Sequence, residues 1–491
     1  MRGKGIYVAI LLLAAITLTA CKADAGQEQN AGGNSNFIQD NTAQDSRNDA
    51  AGAVSPAPSQ GVTADDKENY EDSTSGQVQD DAGGAGASVA GPAETPAEEP
   101  AADPLTEAIF EGKDAAYRKM IEKSLISTGN ISRMKKAIEK AKNGEEVVIA
   151  YIGGSITEGA SASSKEKNYA YLSYKYFKET FGKDGGDNVK YVNAGMGGTP
   201  SALGVIRYDR DVTSYGELLP DIVYIEFSVN DYQEPTRGAA FESMVRKIMN
   251  APNQPAVVLL FCVFQSRWNM QDTYIPIGYY YELPMISIKN ALVPELEAGR
   301  ITDSQFFADI YHPTDFGHSL MADCLKYYYA TVNAQEETDE LNQVPAAARL
   351  GKAFEEIKMY DRATADDNVI VEEGGFSGTD SALVRFATGQ PSFPNNWKHT
   401  SSSGNEPFRM TLNCKNLLLV YKSSGGFGTA VVYLDGEPAM TLNATEGGGW
   451  NNPITVLLIN DSEPAEHVIE IKMAEGHENK EFTIMAIGYS R

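Results

Sequence analysis

Four short segments of this chain hold the residue types that acyl chemistry uses. Gly153-Gly154-Ser155-Ile156-Thr157 closes a first apolar run. Residues 193–201 (NAGMGGTPS) close a second, and Ser228-Val229-Asn230-Asp231 a third. Asp309-Ile310-Tyr311-His312-Pro313 comes last, just ahead of a helical stretch. A hydroxyl becomes a nucleophile beside a base, and that base needs a third group to fix its tautomer. The tetrahedral oxyanion, in turn, needs donors already in place. Glycines before a serine let the chain turn sharply and present both Oγ and the backbone N–H. Gly-Gly-Ser alone also describes an ordinary loop, so the weight rests on the ordered set.

Histidine is scarce, which narrows the search for a base. The chain has five, and only His312 and His318 fall in the region of these segments. Pro313 keeps His312 off the following helix, whereas His318 lies in its first turns and is expected to pack or cap. Glu226 interrupts the apolar run 222–227 and shares face parity with Ser228 and Asn230. It reads as a structural acid, at a sheet edge or hydrogen-bonded, with bracing of the Asn230 end as the sharper alternative. A penicillin-binding-type enzyme is excluded. Ser164–Lys167 and Ser228–Asn230 match two of its motifs, but Lys422-Ser-Ser-Gly425 is one residue too long for the third.

The elements that must carry these residues alternate. Residues 146–152 read as a buried strand and further apolar runs follow at 189–193, 221–228 and 256–263, with helical stretches at 105–125, 130–143, 237–250 and 314–331. The second helix is expected to be capped by Asn130 and stopped near Gly144. Strands alternating with helices indicate a parallel sheet covered on both faces, and ligands gather at the carboxyl ends of such strands. After about residue 345 the pattern changes to short β-rich runs: 407–414, 416–422, 428–434, 454–459, 466–473 and 481–489. Asp435-Gly436 marks a hairpin. This second unit, 346–491, is expected to be an all-β sandwich of jelly-roll type. Trp450 lies in a glycine-rich loop there and either stacks on the ring of a ligand or pins two sheets. A small ester is expected to be too short to reach it.

The first part of the chain speaks to compartment. Arg2 and Lys4 precede an apolar run too short to span a bilayer, ending in Leu18-Thr19-Ala20-Cys21. This resembles the lipobox of bacterial lipoproteins, which implies a signal peptide over 1–20 and a lipid on Cys21. Residues 22–103 carry 16 acidic and 3 basic side chains, half of the chain's formal charge of −26. Such a stretch cannot offset its ordering entropy and is expected to be a disordered tether, with an r.m.s. span of roughly 50 Å. The charge argues against nucleic acid and against anionic lipid, leaving the lipid anchor as the membrane contact. Cys262, Cys324 and Cys414 are too widely spaced to suggest a metal cluster or a disulfide framework.

The four segments in this order resemble the SGNH/GDSL hydrolase family, in a GGSIT-type subgroup, over roughly 104–335. The resemblance implies a flavodoxin-like three-layer α/β sandwich for 104–345. It assigns Ser155 as nucleophile, His312 as general base and Asp309 as the group orienting it. Gly198, through its backbone N–H, and Asn230, through its amide, are implied as oxyanion donors beside the Ser155 N–H. Two positions depart from the family: Gly154 where Asp is frequent, and Ser228 where Gly is frequent. Joined to a β-sandwich, exported members resemble esterases that remove acetyl groups from polysaccharides. The implied function is therefore deacylation of an extracellular glycan at the cell envelope, without metal or cofactor. An acyltransferase shares the same acyl-enzyme chemistry, and a decayed glycan-binding lipoprotein is the non-enzymatic alternative.

Overall fold

A computed structural model describes residues 103–336, 340–383, 389, 391–446 and 449–491. The expected signal peptide, Cys21 and the tether up to residue 102 lie outside the described residues. Among those described, no helix is long and apolar enough to cross a membrane.

The first sheet has strands β1 (Leu125–Ser127), β2 (Val147–Gly153), β3 (Val189–Gly195), β4 (Ile222–Glu226), β5 (Ala256–Phe261) and β6 (Met285–Ser287), in the order β1-β6-β5-β4-β2-β3. All neighbours are parallel except the β1–β6 pair at one edge. β2, β4, β5 and β6 are buried along their whole length, which is why their sequences run continuously apolar rather than alternating. Helices α1 (Pro104–Ile109), α2 (Ala115–Glu122), α3 (Ser132–Asn143), α4 (Ser155–Glu158), α5 (Tyr169–Phe181), α6 (Ser201–Asp211), α7 (Ala239–Met249), α8 (Gln271–Tyr280), α9 (Ile288–Glu297), α10 (Asp303–Phe306) and α11 (Asp315–Ala334) accompany it. α3, α5, α9 and α11 build the core on one face of the sheet, and α6, α7 and α8 the core on the other. The strand order is that of a flavodoxin-like sheet. β3 is added on one side of β2 and β4 on the other, a switch point at whose carboxyl ends ligands bind in such sheets.

Two local expectations change. The helix expected over 105–125 is broken, because Gly112 turns with φ +71° and the Asp114 side chain accepts from Tyr117 N at 2.8 Å, starting a second helix. Residues 125–127 then form the short edge strand β1. Gly144 does end α3, in the left-handed conformation, but Ile131 occupies the N-cap position. Asn130 instead accepts from Ser132 N at 3.0 Å.

The second sheet contains β7 (Lys358–Tyr360), β8 (Val369–Glu372), β9 (Trp397–His399), β10 (Phe408–Ser424), β11 (Thr429–Leu434), β12 (Glu437–Asn443), β13 (Trp450–Met473) and β14 (Phe482–Ser490). Every pairing in it is antiparallel, and it folds into a β-sandwich. Runs that look separate in sequence are continuous here. A register shift between Cys414 and Asn416 carries β10 past the break, with β8 paired to its first half and β14 to its second. Asp435 and Gly436 both take positive φ in the β11–β12 hairpin, the geometry an Asp-Gly turn supplies. Trp397 is buried, stacked on Tyr360 and edge-on to Phe408, and pins the sandwich core.

The sandwich shares a core with the α/β sheet. Leu418, Val420, Met485 and Ala486 pack in one cluster with Ile152, Leu203 and Ile206. A Cβ on Gly488 would sit 2.5 Å from Ile206, so β14 lies flush against α6. The connecting segment is held on α7: Glu242 accepts from the N–H groups of Arg349 (2.7 Å) and Gly351 (2.9 Å), and Arg246 pairs with Glu355. This joint fixes where the sandwich loops fall over the switch point.

Candidate active site

Ser155 is the first residue of the one-turn helix α4, immediately after β2. The turn before it is tight. A Cβ at Gly153 would lie 2.3 Å from Thr157 Oγ1, and one at Gly154 would lie 2.1 Å from Asn230 Oδ1. That second distance accounts for the departure at position 154: the Asn230 amide occupies the space a side chain would need. The other departure is also accommodated, since buried Ser228 donates its hydroxyl to the Cys262 carbonyl at 3.2 Å.

His312 Nε2 lies 2.9 Å from Ser155 Oγ, and its Nδ1 lies 2.8 Å from Asp309 Oδ2. Asp309 Oδ1 accepts from the backbone N–H of Tyr311 (2.7 Å) and of His312 (2.8 Å), which folds the loop into a fork around the carboxylate. Partial burial disfavours its charge, but the His312 hydrogen bond and these two N–H donors prevail and hold its pKa below the usual range. α11 begins only at Asp315, capped by the Thr314 side chain, so His312 stays on the loop. His318 is different. It is buried, stacked on Tyr169 and bonded to Ala160 O at 3.2 Å, and burial pushes its pKa down to about 4. It is a neutral packing residue.

Gly198, with φ +67°, and Asn230 flank the serine from the β3 and β4 ends. A Cβ at neighbouring Gly197 would come 3.7 Å from Ser155 Cβ. Two acids that hold these flanks were not singled out in the sequence. Glu158 Oε2 accepts from Gly197 N at 2.7 Å, anchoring the Gly198 loop to α4. Asp231 is buried and accepts from Ser201 N (2.7 Å) and Tyr274 OH (2.6 Å), tying the Asn230 loop to α6 and α8. Burial pushes Asp231 up to about 7 against the pull of those donors. Glu158, one helical turn after the serine, and Asp231, directly after the asparagine, are the positions where spacing offered a signal.

Glu226 does not lie at a sheet edge, because β4 sits between β5 and β2. Nor does it brace Asn230. Its Oε2 accepts from Thr157 Oγ1 at 2.9 Å, beneath the nucleophile turn. Burial pushes its pKa up to about 8, partly opposed by the Thr157 hydrogen bond and by the nearness of the Cys262 thiol and the Gly154 N–H.

Trp450 is 53% exposed, so it does not pin two sheets. Its ring edge lies where a Gly198 Cβ would be 2.6 Å from Cζ2, and 3.8 Å separates its Cη2 from a Cβ at Gly197. A residue of the sandwich therefore covers the loop beside Ser155. The expectation that a small ester cannot reach it is corrected by this contact. Next to His312, Tyr311 begins a chain of ring contacts through Phe264 and Trp268 to Tyr232, with centroids 5.0–6.2 Å apart, and Tyr232 and Tyr311 are largely exposed. Exposed aromatic rings thus occur beside the Gly198 loop, as Trp450, and beside His312, as Tyr311.

A serine and imidazole in contact at a flavodoxin-like switch point, flanked by glycine and asparagine stations, define an SGNH/GDSL-type carboxylic ester hydrolase. No family profile matches the chain, and no curated protein matches it. Solved structures do. A two-domain esterase active on acetylated mannans matches with 30% identity and a TM-score of 0.64, over 76% of this chain and 99% of that one. A two-domain esterase active on acetylated mannans, co-crystallized with mannopentaose, matches with 30% identity and a TM-score of 0.64, over 75% of this chain and 98% of that one. The chain belongs to the family of this two-domain esterase.

Proposed function

We propose that this protein hydrolyses O-acetyl esters on a mannan-type polysaccharide outside the cell, through an acyl-enzyme on Ser155. The observation that carries the reading is the 2.9 Å contact between Ser155 Oγ and His312 Nε2, under a loop covered by Trp450 of the sandwich. His312 takes the serine proton as Oγ attacks the ester carbonyl, and Asp309 stabilises the imidazolium through Nδ1. The N–H groups of Ser155 and Gly198 and the Asn230 amide receive the oxyanion. His312 then protonates the departing sugar hydroxyl, and water, deprotonated by the same imidazole, releases acetate. Exposed Trp450, beside the Gly198 loop, and exposed Tyr311, beside His312, are the rings offered to the sugar chain. The lipobox-like sequence ending at Cys21 supports tethering to the cell envelope, facing outward.

Trp450→Ala tests the sandwich's share in this site. Loss of about 1–2 kcal/mol of stacking predicts a roughly 5- to 30-fold fall in kcat/KM on acetylated mannan, mostly through KM. Because the ring also rests on Gly198, p-nitrophenyl acetate turnover should drop as well, but less. Equal losses on both substrates, with a lower Tm, would assign Trp450 to packing alone.

A further inference from the structure

We propose that Glu226 is a positioning residue for the nucleophile turn and that it does this work as an uncharged carboxylic acid. The inference rests on Ser155 being the nucleophile and concerns what holds it. Glu226 ends β4 in register with Gly153 of β2, so its backbone lies beside the residue at which the turn begins. Its side chain is fully buried on the face packed by α5 and receives Thr157 Oγ1 at 2.9 Å. The same hydroxyl meets Tyr169 OH at 2.8 Å. The Thr157 carbonyl accepts from both Asn168 Nδ2 and Asn193 Nδ2, each at 2.8 Å. Thr157 is thus tied to β3, β4 and α5 at once, two residues after the serine. The Gly154 N–H faces the same carboxyl group from the other end of the turn.

The surroundings offer no counter-charge. Tyr169 faces Glu226 from α5, Cys262 from the segment after β5, and Asp231 from the loop after β4. Behind these stand Cys324 and neutral His318 of α11. Among the described residues no lysine, arginine or histidine forms an ion pair with Glu226. A carboxylate buried among acids and phenols is expensive, whereas the neutral acid can still accept from Thr157. Charge would also do harm here, because a negative group under Gly154 and Ser155 opposes the oxyanion those residues are placed to stabilise.

The test compares the full-length wild type with Glu226→Gln and Glu226→Ala on p-nitrophenyl acetate from about pH 6 to pH 10, the range over which a carboxyl shifted this far upward ionises. Glutamine is uncharged and keeps the acceptor for Thr157 Oγ1. It should therefore keep most of kcat near pH 7, whereas alanine should lose about tenfold or more with KM little changed. Wild-type kcat should fall by several-fold above about pH 8, and this alkaline limb should be missing in Glu226→Gln. Stability provides a second readout. With its folded pKa raised to about 8, Glu226 favours the native state fully below its unfolded value, and this contribution is lost as pH rises toward 8. Hence the Tm of Glu226→Gln should gain on wild type as pH rises. An alkaline limb unchanged in Glu226→Gln, or a folded glutamine variant as impaired as alanine, overturns the proposal. Failure of the alanine variant to fold leaves the glutamine profile decisive. Should Ser155 prove not to be the nucleophile, that appears in Ser155→Ala and not in the glutamine-to-alanine ratio.

Discussion

Ser155→Ala is expected to lower kcat on p-nitrophenyl acetate by about 10⁴ or more, with Tm and circular dichroism unchanged. The expectation follows from what the change removes. The Oγ atom is the group in contact with His312 Nε2 at 2.9 Å, and the turn around it is built by Gly153, Gly154, Thr157 and Glu226 rather than by the serine side chain. The backbone N–H of residue 155 survives, as do Gly198 and Asn230, so the residual rate should reflect an oxyanion site without a nucleophile. A variant that keeps about a tenth of the wild-type rate takes Ser155 out of the role.

Asn230→Ala should cost about 10²–10³ in kcat while KM changes little. The Asn230 amide fills the space that a Cβ at Gly154 would need, which places it beside the residue preceding the serine. A donor there meets charge that exists only in the transition state, so ground-state binding should hardly register its loss. If KM carries the whole effect instead, Asn230 is a clamp on the substrate. The oxyanion would then be left to the two backbone N–H groups.

Much of this site was legible in sequence because its parts end strands. β2 and β4 are buried runs and β3 an apolar edge strand, and the segments after them converge on one end of the sheet by topology alone. His312 stood out through Asp309 and Pro313, two neighbours with direct physical effects on an imidazole. What sequence could not provide was contact between distant segments. Glu158 reaching Gly197 and Glu226 reaching Thr157 depend on strand register, and neither acid differs in type from a surface carboxylate. Trp450 shows the same limit most clearly. Its glycine-rich loop suggested exposure, but that it lies over Gly198 follows from the packing of β14 on α6, a joint between units far apart in the chain. In the sandwich, β10 and β13 were read as pairs of shorter runs, because register shifts interrupt the alternation that marks a single strand.

The most direct test of the account is acetate release by the purified full-length protein from acetylated mannan, followed by proton NMR of the acetyl signals. The account predicts that polymer-bound acetyl signals decline as free acetate rises, and that Ser155→Ala abolishes both changes. Protein that binds the mannan while every acetyl signal stays intact would contradict it, and would point to a glycan-binding surface protein built on an esterase fold.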